Sequence, residues 1–100
     1  MGGKAAVLLL REKTTDEDGN LREMVIWRVP RTRQRPAGVR YRLALIRAGE
    51  QQPAILYDNH HPKGHHRHVA GTEEPYTFVD VGQLIADFLA DVNRVLGGEE

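Results

Sequence analysis

One hundred residues with balanced charge, 14 Lys+Arg against 14 Asp+Glu, suit a single domain over 1–100 with one modest core, and exclude any argument from bulk charge to a partner. Cysteine is absent, which removes disulfides, thiolate metal sites and cysteine nucleophiles together; a reducing cytoplasm is the expected setting. The apolar run from Ala5 to Leu10 is too short for a signal peptide or a membrane span, and Arg11 follows at once, so no membrane partner is expected.

The neutral total hides an uneven distribution. From Arg28 to Arg47 every charged residue is basic, and from Thr72 onward the charges are acidic except for Arg94. One segment suits phosphate and the other suits a basic partner.

Ala5 to Lys13 reads as a strand, and Thr14 to Asn20 (T-T-D-E-D-G-N) carries turn chemistry. Leu21 to Val29 reads as the returning strand of a hairpin, with Leu21, Val25, Trp27 and Val29 on one face and Arg22, Met24, Ile26 and Arg28 on the other. Pro30 to Gly38 (P-R-T-R-Q-R-P-A-G) is expected to be an exposed, mobile basic loop, either solubilising or binding. Val39 to Arg47 is a third strand with Val39, Tyr41, Leu43 and Leu45 on its apolar face. Pairing of these strands would put Arg22, Arg28, Arg40 and Arg42 together on one sheet face.

Pro53 to Asp58 reads as a short fourth strand, and His65 to Val69 as a fifth, reached through a turn at Pro62 and Gly64. Ala70 to Val79 reads as a loop with an aromatic anchor. Asp80 has the character of a helix N-cap with Gln83 completing a capping box, and Val81, Leu84, Ile85, Phe88, Leu89, Val92 and Leu96 form one stripe ended by Gly97-Gly98. Asp87 and Asp91 fall outside that stripe. Trp27 and Phe88 are expected in the core. The expected fold class is α+β: an antiparallel meander of four to five strands with one C-terminal helix packed on one face.

All five histidines lie in Y-D-N-H-H-P-K-G-H-H-R-H-V, from Tyr57 to Val69, with Lys63 and Arg67 among them. In an extended backbone His66 and His68 point together and Arg67 points the other way. Three readings compete. A metal site finds ligands in His66, His68 and either His60 or His61, although Lys63 and Arg67 oppose a dication; no metal cofactor is expected, only adventitious binding. Acid–base chemistry on a phosphodiester needs two proton-transfer groups and a cation, which His66, His68, Lys63 and Arg67 supply. A merely polar surface loop is the third reading. The pair Glu73-Glu74 is weighed as solvated side chains before a catalytic dyad, and Tyr76 as an anchor for the helix entry before a site residue.

Three blocks carry a family resemblance: M-V-I-W-R-V-P (Met24 to Pro30), Y-D-N-H-H-P-K-G-H-H-R-H (Tyr57 to His68), and E-E-P-Y-T-F-V with the following L-I-A-D-F-L-A-D-V. Together they resemble the TumE family, toxin components of bacterial toxin–antitoxin pairs. The family pattern matches best at Asp58, Asn59, Lys63, Gly64, His66 and His68, then Glu74, Pro75 and Tyr76. The resemblance implies a small cytoplasmic toxin partnered by a cognate antitoxin, typically a small DNA-binding protein. The combined expectation is a metal-independent endoribonuclease with His66, His68, Lys63 and Arg67 at the chemistry, and with Arg31, Arg33, Arg35, Arg40, Arg42, Asp58 and Tyr76 binding RNA. The alternatives are a non-enzymatic module binding RNA or a partner, and a metal-dependent hydrolase; a homodimer is one option for assembly.

Overall fold

A computed structural model describes residues 5–97; Gly98 and both ends of the expected 1–100 domain lie outside the described residues. Six strands form one antiparallel sheet in chain order: β1 (Val7–Thr15), β2 (Leu21–Arg28), β3 (Val39–Ile46), β4 (Ile55–Asp58), β5 (His66–Val69) and β6 (Thr72–Pro75). A single helix among the described residues, α1 (Val81–Val95), follows them and packs on one face. Among the described residues no helix is long and apolar enough to cross a membrane.

The sixth strand is an addition to the expected four or five. It is joined to β5 by the two-residue connection Ala70-Gly71, with φ of +51° and +89°. Positive φ at both central residues suits the right-handed twist of the hairpin, but alanine is not a residue that announces it. All four β6 residues are exposed, so no apolar alternation marks the strand either.

Register decides which faces meet. Met24 pairs with Leu43 and Ile26 with Tyr41, while Val25 pairs with Arg42 and Trp27 with Arg40. The core face of β2 is therefore Met24 and Ile26, opposite to the expected assignment. Arg22 and Arg28 stand across from Leu45 and Val39, so they lie on the helix side and do not share a face with Arg40 and Arg42. Trp27 is likewise absent from the core and half-buried on the open face. Under the helix, Ile26, Leu43, Leu45, Ile55, Tyr57, Leu84 and Phe88 are fully buried. Each such side chain contributes roughly 1.5–3 kcal/mol by leaving water.

The helix begins at the N-cap Asp80, whose Oδ1 accepts from the Gln83 backbone N at 2.8 Å. The expected capping box is half-formed, because the Gln83 side chain donates forward to Asp87 Oδ1 (2.7 Å). Gly97, at φ +83°, ends the helix in the left-handed region that glycine tolerates. Asp91 lies on the inner face with 1% exposure. It accepts from the Tyr57 hydroxyl, from Arg67 Nη1 at 3.3 Å, and pairs with Arg94. Asp87 also turns toward the sheet side and accepts from the Tyr76 hydroxyl (2.5 Å).

Candidate functional site

The face of the sheet opposite the helix carries the polar chemistry. One rung across the strands reads Val25, Arg42, Asp58, His66, Pro75, and the next reads Leu56, His68, Glu73. Alternation along β5 puts His66 and His68 on this face with ring centroids 5.9 Å apart and planes at 72°.

His66 is the more firmly held ring. Its Nε2 lies 3.0 Å from Asp58 Oδ1 and its Nδ1 2.9 Å from the Gly64 carbonyl. Both neighbours accept hydrogen bonds, so the protonated ring is the form that donates to both. His68 is more open, with Nε2 3.5 Å from Glu73 Oε1. Glu73 also receives Lys63 Nζ and lies 3.8 Å from His66 Nε2. The Lys63 hydrogen bond, aided by that ammonium's charge and by the two imidazoles, holds the Glu73 carboxyl below its ordinary value. One ligand atom from each of His66, His68 and Glu73 falls within 4.8 Å of the others.

Beside this cluster lies a groove of about 330 Å³. Val25 and Trp27 form its apolar wall; Arg35, Arg40 and Arg42 stand around it; Asp58 joins it to His66. The loop 30–38 that supplies Arg35 is closed on itself, with Thr32 and Arg35 exchanging backbone bonds at 3.1 and 3.2 Å. Arg35 Nη1 donates to the Asn59 carbonyl at 3.0 Å. Asn59, nearly fully buried, binds the Tyr41 N–H (3.0 Å) and the Val39 carbonyl (2.8 Å). It thereby fixes where the chain leaves β4 for the histidine turn.

The structure thus brings together His66, His68, Lys63, Asp58, Arg35, Arg40 and Arg42. Arg31 and Arg33 remain exposed in their loop. Arg67 and Tyr76 are not brought to this face. Arg67 points under the helix, where Nε donates to Glu74 (2.6 Å) and Nη1 to the Tyr57 hydroxyl (2.9 Å) and Asp91. Burial works against its charge, but these bonds outweigh it and raise its pKa. Tyr76 packs edge-on against Tyr57, and burial together with the Asp87 bond raises its hydroxyl pKa. His65 also turns away. Its ring stacks against Tyr41 and Phe78, Nδ1 shares a hydrogen bond with the Tyr41 hydroxyl at 2.9 Å, and burial, then the charge of Arg35, lower its pKa. His60 reaches only the groove edge.

The fold and face define a small α+β protein with one roofed sheet face and one open, arginine- and histidine-bearing face. The family model described as Toxin TumE matches residues 5–96, and the chain belongs to that toxin family. Membership implies a cognate antitoxin. Searches of curated proteins and of solved structures returned no match.

Proposed function

We propose that this chain is the toxin of a type II toxin–antitoxin pair and acts as a metal-independent endoribonuclease. The observation that carries this reading is the imidazole pair on the open face, 5.9 Å between centroids, with one ring clamped by Asp58 and an arginine groove alongside. Cleavage of RNA without a metal requires removal of the ribose 2′-OH proton, protonation of the leaving 5′ oxygen and stabilisation of the phosphorane charge. His66 and His68 share the two proton transfers. The Gly64 carbonyl holds His66 through Nδ1, as a carboxylate orients the imidazole in hydrolytic triads, and Nε2 transfers its proton to substrate on leaving Asp58 Oδ1. Lys63, released from Glu73, and Arg42 supply positive charge. Arg35 and Arg40 bind phosphates along the approach, and Arg31 and Arg33 extend the basic surface, so binding weakens with salt.

Chelator-treated protein is expected to cut RNA to 2′,3′-cyclic phosphate ends, and a His66→Ala/His68→Ala double variant is expected not to. Absence of cutting, or equal cutting by the double variant, overturns the assignment. A second reading, a metal-dependent hydrolase, draws on the convergence of His66, His68 and Glu73. The Lys63 ammonium on Glu73 competes with a cation for that carboxylate; activity restored after chelation by one particular ion favours this reading. Toxicity that survives loss of both histidines but vanishes when Arg40 and Arg42 are neutralised favours a non-enzymatic binding module.

A further inference from the structure

Trp27 is the chain's one tryptophan, and it is not used to build the core. It stands on the open face between Leu8 of β1 and Arg40 of β3. Its indole forms a wall of the 330 Å³ groove. The Arg40 guanidinium lies 5.9 Å from its ring, at the outer limit of a cation–π contact, so the aromatic face is only loosely covered. A large aromatic side chain left partly exposed beside three arginines contributes little to the roofed core. The same combination, an aromatic platform within a cationic groove, is what unpaired nucleotides bind: bases stack on the ring while phosphates meet the charges.

Resting on the endoribonuclease reading, we infer that the groove is a nucleotide subsite that selects single-stranded RNA, with one base stacked on Trp27 and the adjoining backbone held by Arg35, Arg40 and Arg42. The groove ends at Asp58, whose carboxylate is bonded to His66. Arg42 on β3 and His66 on β5 are two strand spacings apart, roughly 10 Å, so a short oligonucleotide reaches from the tryptophan to the imidazole pair. A paired base cannot present its face to the indole, because both faces are occupied by its neighbours in the stack. The Trp27 site therefore discriminates by strandedness and tolerates base identity, since every base has a stacking face. Three phosphate contacts give a dependence of log K on log salt of about −2.

The test uses full-length wild-type protein and a short 2′-O-methyl oligoribonucleotide, which has no free 2′-OH and stays intact. Because the chain has one tryptophan, its fluorescence reports on this groove alone. Expected is saturable quenching by the unpaired strand and none by the same strand annealed to its complement. Trp27→Leu is expected to weaken binding of the unpaired strand roughly 5- to 150-fold, as loss of one base–aromatic stack does. The wild-type fluorescence titration stands even if that variant does not fold. Binding without quenching, equal quenching by the duplex, or quenching by a protein partner and not by RNA each overturns the subsite. Quenching that persists in the His66→Ala/His68→Ala variant with no cleavage by the wild type upholds the subsite and removes the catalytic proposal. Cleavage without quenching does the reverse.

Discussion

Replacing Arg67 by Met tests whether this residue belongs to the fold or to the chemistry. The substitution keeps the aliphatic stem and removes the guanidinium that bonds Glu74, Tyr57 and Asp91. Loss of one partner from a fully buried ion pair costs about 3–5 kcal/mol, and loss of a hydrogen bond to a charged group about 1.5–3 kcal/mol. The Arg67 side chain is 30% exposed, and Arg94 remains paired with the buried Asp91. Both facts pull the expected cost to about 2–3 kcal/mol. For a chain of this size that lowers Tm by about 8–24 °C, a large share of a typical domain's stability. Urea unfolding followed by far-UV circular dichroism gives the free energy. Combining Arg67→Met with Asp91→Asn should reveal a coupling of about 0.5–3 kcal/mol. Below its melting transition the Arg67→Met protein should bind single-stranded RNA as the wild type does. A cost under about 0.5 kcal/mol, accompanied by lost RNA binding or cleavage, would refute the placement of this side chain beneath the helix.

Ala70 adopts φ +51° in the β5–β6 connection, so Ala70→Asn should raise stability by roughly 0.5–1 kcal/mol, read as a higher urea midpoint; a lower midpoint contradicts the strained turn. Asp80→Ala removes the cap on the Gln83 N–H and should cost about 1 kcal/mol without altering RNA binding. Asn59→Ala leaves the Tyr41 N–H and the Val39 carbonyl unpaired in a buried setting. It should cost about 2–3 kcal/mol and, by loosening the exit from β4, weaken RNA binding beyond what the stability loss explains. His65 has a lowered pKa because burial, and then Arg35, disfavour its charged form. Its folded value lies below its unfolded one, so its contribution is fully present above about 6.5 and is lost as pH falls through the folded value. His65→Phe keeps the stack with Tyr41 and Phe78 and should flatten the fall in stability between neutral and mildly acidic pH; an unchanged slope contradicts this.

The helix was legible because three independent signals coincide: an N-cap carboxylate, a 3.6-residue apolar stripe and a terminal glycine. The antiparallel meander was legible from a short apolar run in β1, from alternation in β2 and β3, and from turn residues between the strands. The face of β2 was not, because Val25 and Trp27 are as apolar as Met24 and Ile26. Only pairing with Leu43 and Tyr41 decides which pair goes inside. Strand β6 escaped because T-E-E-P has no buried side to pattern. Asp91 escaped for a related reason: three residues after Phe88 it falls on the inner face, yet a carboxylate is read as solvated until its partners, Tyr57 and Arg67 from distant strands, are known. At the candidate site, the shared face of His66 and His68 follows from period-two geometry. The Asp58 clamp and the tryptophan groove depend on register between β2, β3, β4 and β5, which a single sequence does not print.

The order of elements has a consequence for how the molecule is made. Each strand finds its partner in the segment just before or after it, so the ladder can zip progressively from the amino end as the chain emerges. Its inner surface, however, stays wet until Leu84, Phe88 and Val92 arrive at the far end of the message. Arg67 also waits for Asp91 to complete its set of partners, and Tyr76 waits for Asp87. A premature stop between the last strand and the helix should therefore yield a chain with all five histidines and every arginine but Arg94, yet no roof over its apolar side. Such a chain is a target for proteases, and late nonsense mutations should be as fully inactivating as early ones.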